Sequence, residues 1–346
     1  MFVDRSGNHH LSLAELTAML QPALVEAGAS DNVAKILALN CATAERDGSR
    51  SHGLYRVSGY IDNLRSGFVN GKAVPDIARP GAAMIRVDAC RGYGRPALEA
   101  VIPEAIDVCR MAGTCVIAIG NSHHNGPLWL DIEPFADDGL VALTMVASVV
   151  AVVPHGARRP VYGTNPMAFA VPRHGRAPLI FDQSSSVMAH GEVGIAALEG
   201  RILAEGVGID AAGNPTRDPK AIMAGGALLP FGGHKGSQIA MMIELLAGAV
   251  TGSNFSHQVD WSDYPGACSA HTGQLFILID PVGASGGSTG FALRVEELLA
   301  ELATAGQERF PGERRIAARE KALREGISIE PAVWEDLLSL GAHPPE

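Results

Sequence analysis

AMIRVDACRGYGRPALEAVIPEAIDVCRMAGTCVIAIGNS, residues 83–122, decides the fold class. Gly92-Tyr93-Gly94-Arg95-Pro96-Ala97 matches G-x-G-x-x-A. It follows the strand-like run AMIRVDA and opens the apolar helical run PALEAVIPEAIDVCRMAG. A dinucleotide-binding unit needs one thing more, an acidic residue closing a second strand about twenty residues on, where it can hold a ribose hydroxyl. CRMAGTCVIAIGNS occupies that region and contains no acid. The glycines therefore read as a tight turn with Pro96 starting a helix. No βαβ dinucleotide unit is expected at Gly92.

Upstream of this stretch the chain reads as helices. Ser12-Leu13-Ala14-Glu15 is a capping box, followed by helical apolar spacing as far as Gly28. Ser30 caps a second helix through DNVAKILALNCATAERDG. A third is expected from about His52 to Leu64, ending at Ser66-Gly67. Downstream, residues 140–182 read mostly as strands: LVALTMVAS, AFAVP and PLIFDQSS. PFGGHKGS reads as a loop that opens the helix QIAMMIELLAGAVTG. GQLFILIDP is a strand, GASGGSTG (283–290) a flexible loop, and RVEELLAELATA and EPAVWEDLLSLG are helices. No repeat of fixed period is visible. The class is mixed α/β, and the strands are not spaced by regular helices as a doubly wound parallel sheet requires.

At 346 residues, 47% apolar and 18% charged, the chain can bury a sizeable core and is not a disordered one. A net charge of −10 argues against sequence-independent nucleic-acid binding, which needs a positive field. The five cysteines form no C-x-x-C pair, as expected of a reduced, cytoplasmic protein. MFVDRSGNHHLSLAEL lacks the basic and apolar regions of a signal peptide. GLVALTMVASVVAVVPHG is short, rich in valine and stopped by Pro154, so it reads as a buried strand pair and no membrane association is expected.

Several polar groups stand out against this background. In SRSHGLYR (49–56), a helix starting near Ser51 would put His52 and Arg56 on one face, with Ser51 as its N-cap. Arginine offers a carboxylate two parallel hydrogen bonds, and histidine can donate a proton near neutral pH. Capping alone would also account for Ser51. GNSHHNGPLW (120–129) puts two histidines after a strand, where α/β proteins often place chemistry. The pair lacks metal-ligand spacing, and no acidic partner follows closely. YGTNPMAFAVPR (162–173) and FDQSSS (181–186) supply amide and hydroxyl groups at strand ends. GGHKG (232–236) joins glycine amides and a lysine to a helix start, and RFPGERR (309–315) brings three arginines to a Pro-Gly turn. Both suit phosphate, and together they point to a phosphorylated cofactor.

SRSHGLYR, GNSHH…LW.DIEPFAD.GLVAL, GTNPMAFAVPR, FDQSSS.MAHGE, LLPFGGHKGS and PGERR follow in that order over almost the whole chain. In this the sequence resembles the malate/L-lactate dehydrogenase family, and within it an imino-acid reductase branch. The resemblance implies an α/β fold of non-Rossmann type, in which a mainly antiparallel cofactor-binding sheet is wrapped by helices and both chain ends form a helical lobe. The implied division is 1–45 with 296–346 as that lobe, 46–120 as a catalytic and dimerisation region, and 121–295 as the NAD(P)H-binding domain. It further implies a cytoplasmic homodimer using NADPH, with NADH possible, and no metal. Ser51 and His52 would be catalytic with Glu192 as acidic relay partner, although an aspartate is expected at that place. Arg56 would bind the substrate carboxylate and Thr164 would touch substrate. In the hydroxy-acid branch the proton-transferring histidine corresponds to His124. Cofactor contacts would come from His124, Asn125, Gly126, Pro127 and Leu128, from Asp182, Gln183 and Ser184, from His234, Lys235 and Gly236, and from Pro311, Gly312, Glu313, Arg314 and Arg315. Asn125-Gly126-Pro127 departs from the aromatic and two alanines usual in the reductases.

The implied reaction is NADPH-dependent reduction of a cyclic α-imino acid: Δ1-piperideine-2-carboxylate to L-pipecolate, or Δ1-pyrroline-2-carboxylate to L-proline. The alternative is a 2-hydroxy-acid dehydrogenase acting on a 2-oxo acid, with His124 as acid and base. Three rivals lie further off. A Ser-His-Glu hydrolase needs Ser51 to face a histidine, which direct neighbours on a helix do not do. A metal hydrolase would use His123, His124 and His234. A small-molecule binding protein would bind cofactor without turnover.

Overall fold

The computed structural model describes residues 1–285 and 287–345. Its centre is a seven-stranded sheet in the order Arg176–Gln183, Met167–Arg173, Val141–Val146, Ala270–Ile279, Thr114–His124, Met84–Asp88, Asp76–Gly81. All junctions are antiparallel except that of Met84–Asp88 with Thr114–His124, which is parallel. TCVIAIGNSHH is buried along nearly its whole length because both faces of the sheet are covered. Ile117 and Ile119 point to a core shared with Phe135 and Leu98, while Ala118 points to one shared with Ile243 and Ala247.

The parallel junction corrects the reading of Gly92. Helices Gly94–Glu99 and Ile102–Ala112 make the crossover between the two parallel strands, so a strand-helix-strand unit is present there. Gly92 serves packing. A Cβ on Gly92 would lie 2.6 Å from the Ala73 methyl and 2.8 Å from the Ala89 carbonyl. The turn itself runs through left-handed backbone at Cys90 and Arg91.

Helices Leu13–Glu26 and Asp31–Arg46 form as their caps predict. Ser12 and Glu15 exchange both bonds of the capping box, and Ser30 Oγ accepts from the Val33 amide. Their apolar faces meet Tyr60, Ile61, Ile327, Trp334 and Leu337, joining the first residues of the chain to the last. Strand His9–Leu11 pairs with Ile327–Ile329, and His9 stacks on Trp334 at 3.8 Å. A third sheet of five short strands packs on helix His190–Leu198 through Val152, Val193 and Leu228.

Four local expectations change. The helix expected from His52 breaks into 3-10 turns at Arg50–His52 and Leu54–Arg56, and α-helix begins only at Val57. The cause is Gly53. A Cβ there would sit 2.1 Å from Glu45 Oε2, the same oxygen that accepts from the Leu54 amide at 2.9 Å. Second, His234–Gly236 is not loop but the first turn of helix His234–Ile243, which continues as a π-helical turn over Glu244–Ala249. Third, Pro281–Ser285 and the start of Ser288–Thr304 are helical where a flexible loop was expected; Gly286 lies outside the described residues. Fourth, the two valine-rich strands, Val141–Val146 and Val150–Val152, belong to different sheets. No helix among the described residues is long and apolar enough to cross a membrane, and all five thiols are free.

Candidate active site

A cleft of about 530 Å³ lies where the first helical turns, the end of strand Thr114–His124 and the end of strand Arg176–Gln183 converge. Ser51, His52, Arg56, His124, Asn125, Gly126, Pro127, Leu128, Thr164, Asp182, Gln183, Ser184, Glu192 and Arg315 line it. His234, Lys235, Gly236, Pro311, Gly312, Glu313 and Arg314 do not. Lys235 and Arg314 are exposed, and Glu313, the first residue of its helix, accepts from the Phe310 amide that precedes it.

The break at Gly53 shapes the first wall. Ser51 is buried and does not cap a helix. Its hydroxyl lies 3.1 Å from His52 Nδ1, a contact between sequence neighbours that a 3-10 turn permits. Arg56 Nε donates to the Ser51 carbonyl at 2.8 Å, so the two terminal nitrogens are what the guanidinium has left for a ligand. Gly191 sits close by, where a Cβ would come within 3.1 Å of Arg56 and 3.3 Å of Ser51. Burial, then the charges of Arg56 and His124, lower His52 to about 3, so its ring is neutral at pH 7. Glu192 is exposed and makes no hydrogen bond to His52.

Across the cleft, His124 Nε2 meets Asp131 Oδ2 at 3.0 Å. This corrects the view that no acid follows closely. Asp131 stands seven residues on, in helix Leu128–Asp137, whose first turns fold it back under the strand end. It is 1% exposed and also accepts from Arg95 Nη1 at 3.1 Å and Gln274 Nε2 at 2.9 Å. Burial would raise this carboxyl, but the bonds and charges of His124 and Arg95 hold it below its ordinary value. Sequence reasoning missed Asp131, Arg95 and Gln274. The DIEPFAD run contained the one signal, an acid on the apolar side of an amphipathic helix.

Asp182 forms the floor. Its carboxylate accepts the Trp129 amide at 3.0 Å, and burial pushes it up to about 6 against the opposing effects of that bond and Arg315. Arg315 donates to the Ile180 carbonyl and lies over the Trp129 ring. Trp129 in turn donates to Ser49 Oγ. Thr164 is buried, and its carbonyl accepts from both the amide and the hydroxyl of Ser185. Among the described residues no group of three or more His, Cys, Asp or Glu could hold a metal. His123 is turned away into the core, bonded to Ser269 and stacked on His271.

These histidines make stability depend on pH. Burial lowers His123 to about 2 and His52 to about 3, and lowers His271 and His190 as well. With folded values below the ordinary one of about 6.5, the unfolded chain binds more protons wherever the pH is under that value. The stabilisation is therefore complete above pH ~6.5 and falls as the pH drops toward ~3. Thermal midpoints should decline steadily between these limits, and a midpoint flat from pH 7 to 4 would contradict the assignment.

Comparison with known proteins places this cleft in context. The model of the malate/L-lactate dehydrogenase family matches residues 11–338. The chain is 53% identical over 333 residues, 96% of each protein, to the Δ1-pyrroline-2-carboxylate/Δ1-piperideine-2-carboxylate reductase of Pseudomonas syringae pv. tomato. It is 38% identical over 332 residues, 96% of this chain and 97% of the relative, to a Δ1-pyrroline-2-carboxylate reductase of Ancylobacter novellus. The crystal structure of Δ1-piperideine-2-carboxylate reductase from P. syringae pv. tomato superposes with a TM-score of 0.93 at 52% identity, over 96% of this chain and 99% of that one. Sulfolactate dehydrogenase from Methanocaldococcus jannaschii superposes at 0.83 with 27% identity, over 97% and 98%.

Proposed function

The chain belongs to the malate/L-lactate dehydrogenase family, and from this we propose that it is an NADPH-dependent reductase of cyclic α-imino acids. It takes Δ1-piperideine-2-carboxylate to L-pipecolate and Δ1-pyrroline-2-carboxylate to L-proline. The observation that carries the reading is the shared cleft, in which an arginine anchored on the Ser51 carbonyl faces a histidine paired with a buried carboxylate. One binds an α-carboxylate and the other handles a proton beside it.

The cleft suits a nicotinamide cofactor. Its volume of about 530 Å³ lies within the ordinary ligand-site range, and its donors are hydroxyls, amides and guanidinium groups around one buried carboxylate. Gly126 keeps one wall thin, because a Cβ there would come within 2.9 Å of Asn40 Nδ2. Residues 124–128, 182–184 and Arg315 would hold the nicotinamide end. His234–Gly236 and Pro311–Arg314, which lie outside the cleft, are assigned to its phosphates. The bound cofactor supplies the hydride.

The chain's own residues do the rest. The terminal nitrogens of Arg56 grip the carboxylate and aim the imine carbon. A protonated iminium accepts hydride far better than a neutral imine, so a proton must be kept on nitrogen. His52, neutral in this cleft, serves first as a hydrogen-bonding partner. A carboxylate bound at Arg56 cancels part of the charge that depresses His52 and so raises it. His124 carries the transferable proton. The non-Rossmann reading accords with the packing role of Gly92.

His124–Asp131 favours one second reading, a 2-hydroxy-acid dehydrogenase, since such a pair also suits proton exchange with a hydroxyl. A spectrophotometric panel of NADPH and NADH against both imines, pyruvate and oxaloacetate separates the two. Turnover of the oxo acids above that of the imines would reverse the order. In the same panel NADPH should exceed NADH in kcat/KM by about tenfold or more, since a charged hydrogen bond to Lys235 or Arg314 is worth roughly 1.5–3 kcal/mol. Equal efficiency with the two cofactors would remove these residues from phosphate recognition.

A further inference from the structure

The Gly92–Ala97 turn has no ligand of its own, yet it carries Arg95, and Arg95 reaches the pair at the cleft. Its Nη1 donates to the Leu130 carbonyl at 2.8 Å and to Asp131 Oδ1 at 3.1 Å, and Nη2 bonds Glu99. The guanidinium is thus engaged by the protein and unavailable to a substrate. We infer that Asp131 is a positioning residue, anchored by Arg95 and Gln274, which fixes His124 with its proton on Nε2 and leaves Nδ1 as the nitrogen that exchanges a proton with the cleft. The catalytic consequence rests on the reductase reading; the tautomer does not.

The hydrogen-bond inventory leads there. Asp131 Oδ2 receives His124 Nε2 at 3.0 Å and Gln274 Nε2 at 2.9 Å, while Oδ1 receives Arg95. Gln274 turns its amide nitrogen toward Asp131 and Thr144, which leaves its Oε1 buried without a partner. Thr144 Oγ1 donates to the Leu275 carbonyl and so accepts from Gln274 at 3.2 Å, which requires the amide nitrogen on that side. Two of the three neighbours of Asp131 can only donate. A carboxylate that only accepts fits this set, and it demands a proton on His124 Nε2. His124 Nδ1 makes no protein hydrogen bond among the described residues and is not among the buried unpartnered atoms, while the ring lines the cleft. The ring is therefore held at one nitrogen and open at the other. With the cleft nitrogen bare His124 accepts a proton, and with it protonated His124 donates one.

Asp131→Asn tests this, because the substituted amide has one acceptor. Arg95, a cation, claims the oxygen. The amide nitrogen then turns to His124 and needs Nε2 as an acceptor, which moves the ring proton to Nδ1. Long-range 1H–15N correlation on the full-length protein labelled at histidine reads the tautomer directly, with His124→Gln identifying the resonance. The wild type should show Nε2–H, and Asp131→Asn should show Nδ1–H. With the preferred imine, Asp131→Asn should lower kcat about a hundredfold or more, change KM less than about threefold, and displace the pH profile of kcat. Gln274→Leu removes one anchor but keeps the pair, and should retain Nε2–H. Nδ1–H in the wild type overturns the proposal whatever the variants do, as does an Asp131→Asn enzyme with unchanged kcat and profile. A wild type with Nε2–H that reduces no imine upholds the positioning of His124 and removes the reductase reading instead.

Discussion

Arg56→Lys is expected to lower kcat/KM for the imino acid by about a hundredfold or more. Hydrogen bonds to charged groups are worth roughly 1.5–3 kcal/mol each, and lysine cannot present two parallel ones. Nor is the loss confined to substrate binding. Arg56 Nε also holds the Ser51 carbonyl at 2.8 Å, and Ser51 carries the hydroxyl bonded to His52. One ammonium cannot serve both places, since it lacks the planar fork that reaches the carbonyl with one nitrogen and the substrate with two others. KM should therefore rise and kcat should fall together. Steady-state kinetics with a substrate series distinguishes the two contributions. If kcat stays at the wild-type value while KM alone rises, the contact to Ser51 has no part in the chemistry.

His124→Gln should lower kcat by about 10²–10⁴, the usual range for loss of a positioned acid or base, with a smaller change in KM. Glutamine is chosen because its amide can still donate to Asp131, whereas alanine would leave a buried carboxylate short of a partner. His52→Ala should have the milder effect, about tenfold, because a ring lowered to about 3 holds no proton to give at pH 7. The two variants measured side by side decide between the histidines. Near-normal turnover in His124→Gln together with a dead His52→Ala would make His52 the donor.

Much of the fold was legible in local pattern. The capping box at Ser12 and the N-cap at Ser30 start their helices where the residue types demand, because a cap involves groups three residues apart. TCVIAIGN reads as a buried strand from its unbroken apolar run, and so it is. The missing acid after Gly94 could not exclude the parallel crossover, and the turn expected of the glycines runs instead through Cys90 and Arg91. Strand partners are chosen by distant segments: Ala270–Ile279 inserts between Thr114–His124 and Val141–Val146, and nothing within residues 83–122 encodes that.

The same division runs through the site. The family resemblance named Ser51, His52, Arg56, His124, Thr164 and Asp182 as site residues, and all six line one cleft, whereas His234–Gly236 and Pro311–Arg314, named with them, do not. The carboxylate that serves a histidine was not legible. Glu192 was expected to pair with His52, and the tertiary structure instead puts Asp131 on His124 and Arg95 on Asp131. Nor was the break at Gly53, which comes from the Glu45 side chain occupying the space of a Cβ. The physical reason is the same in each case. Periodicity and capping act over a few residues and are written in their order, whereas desolvation and ion pairing depend on which remote side chains displace water. Residue types therefore determined which groups could do chemistry, and packing alone decided which histidine received the carboxylate.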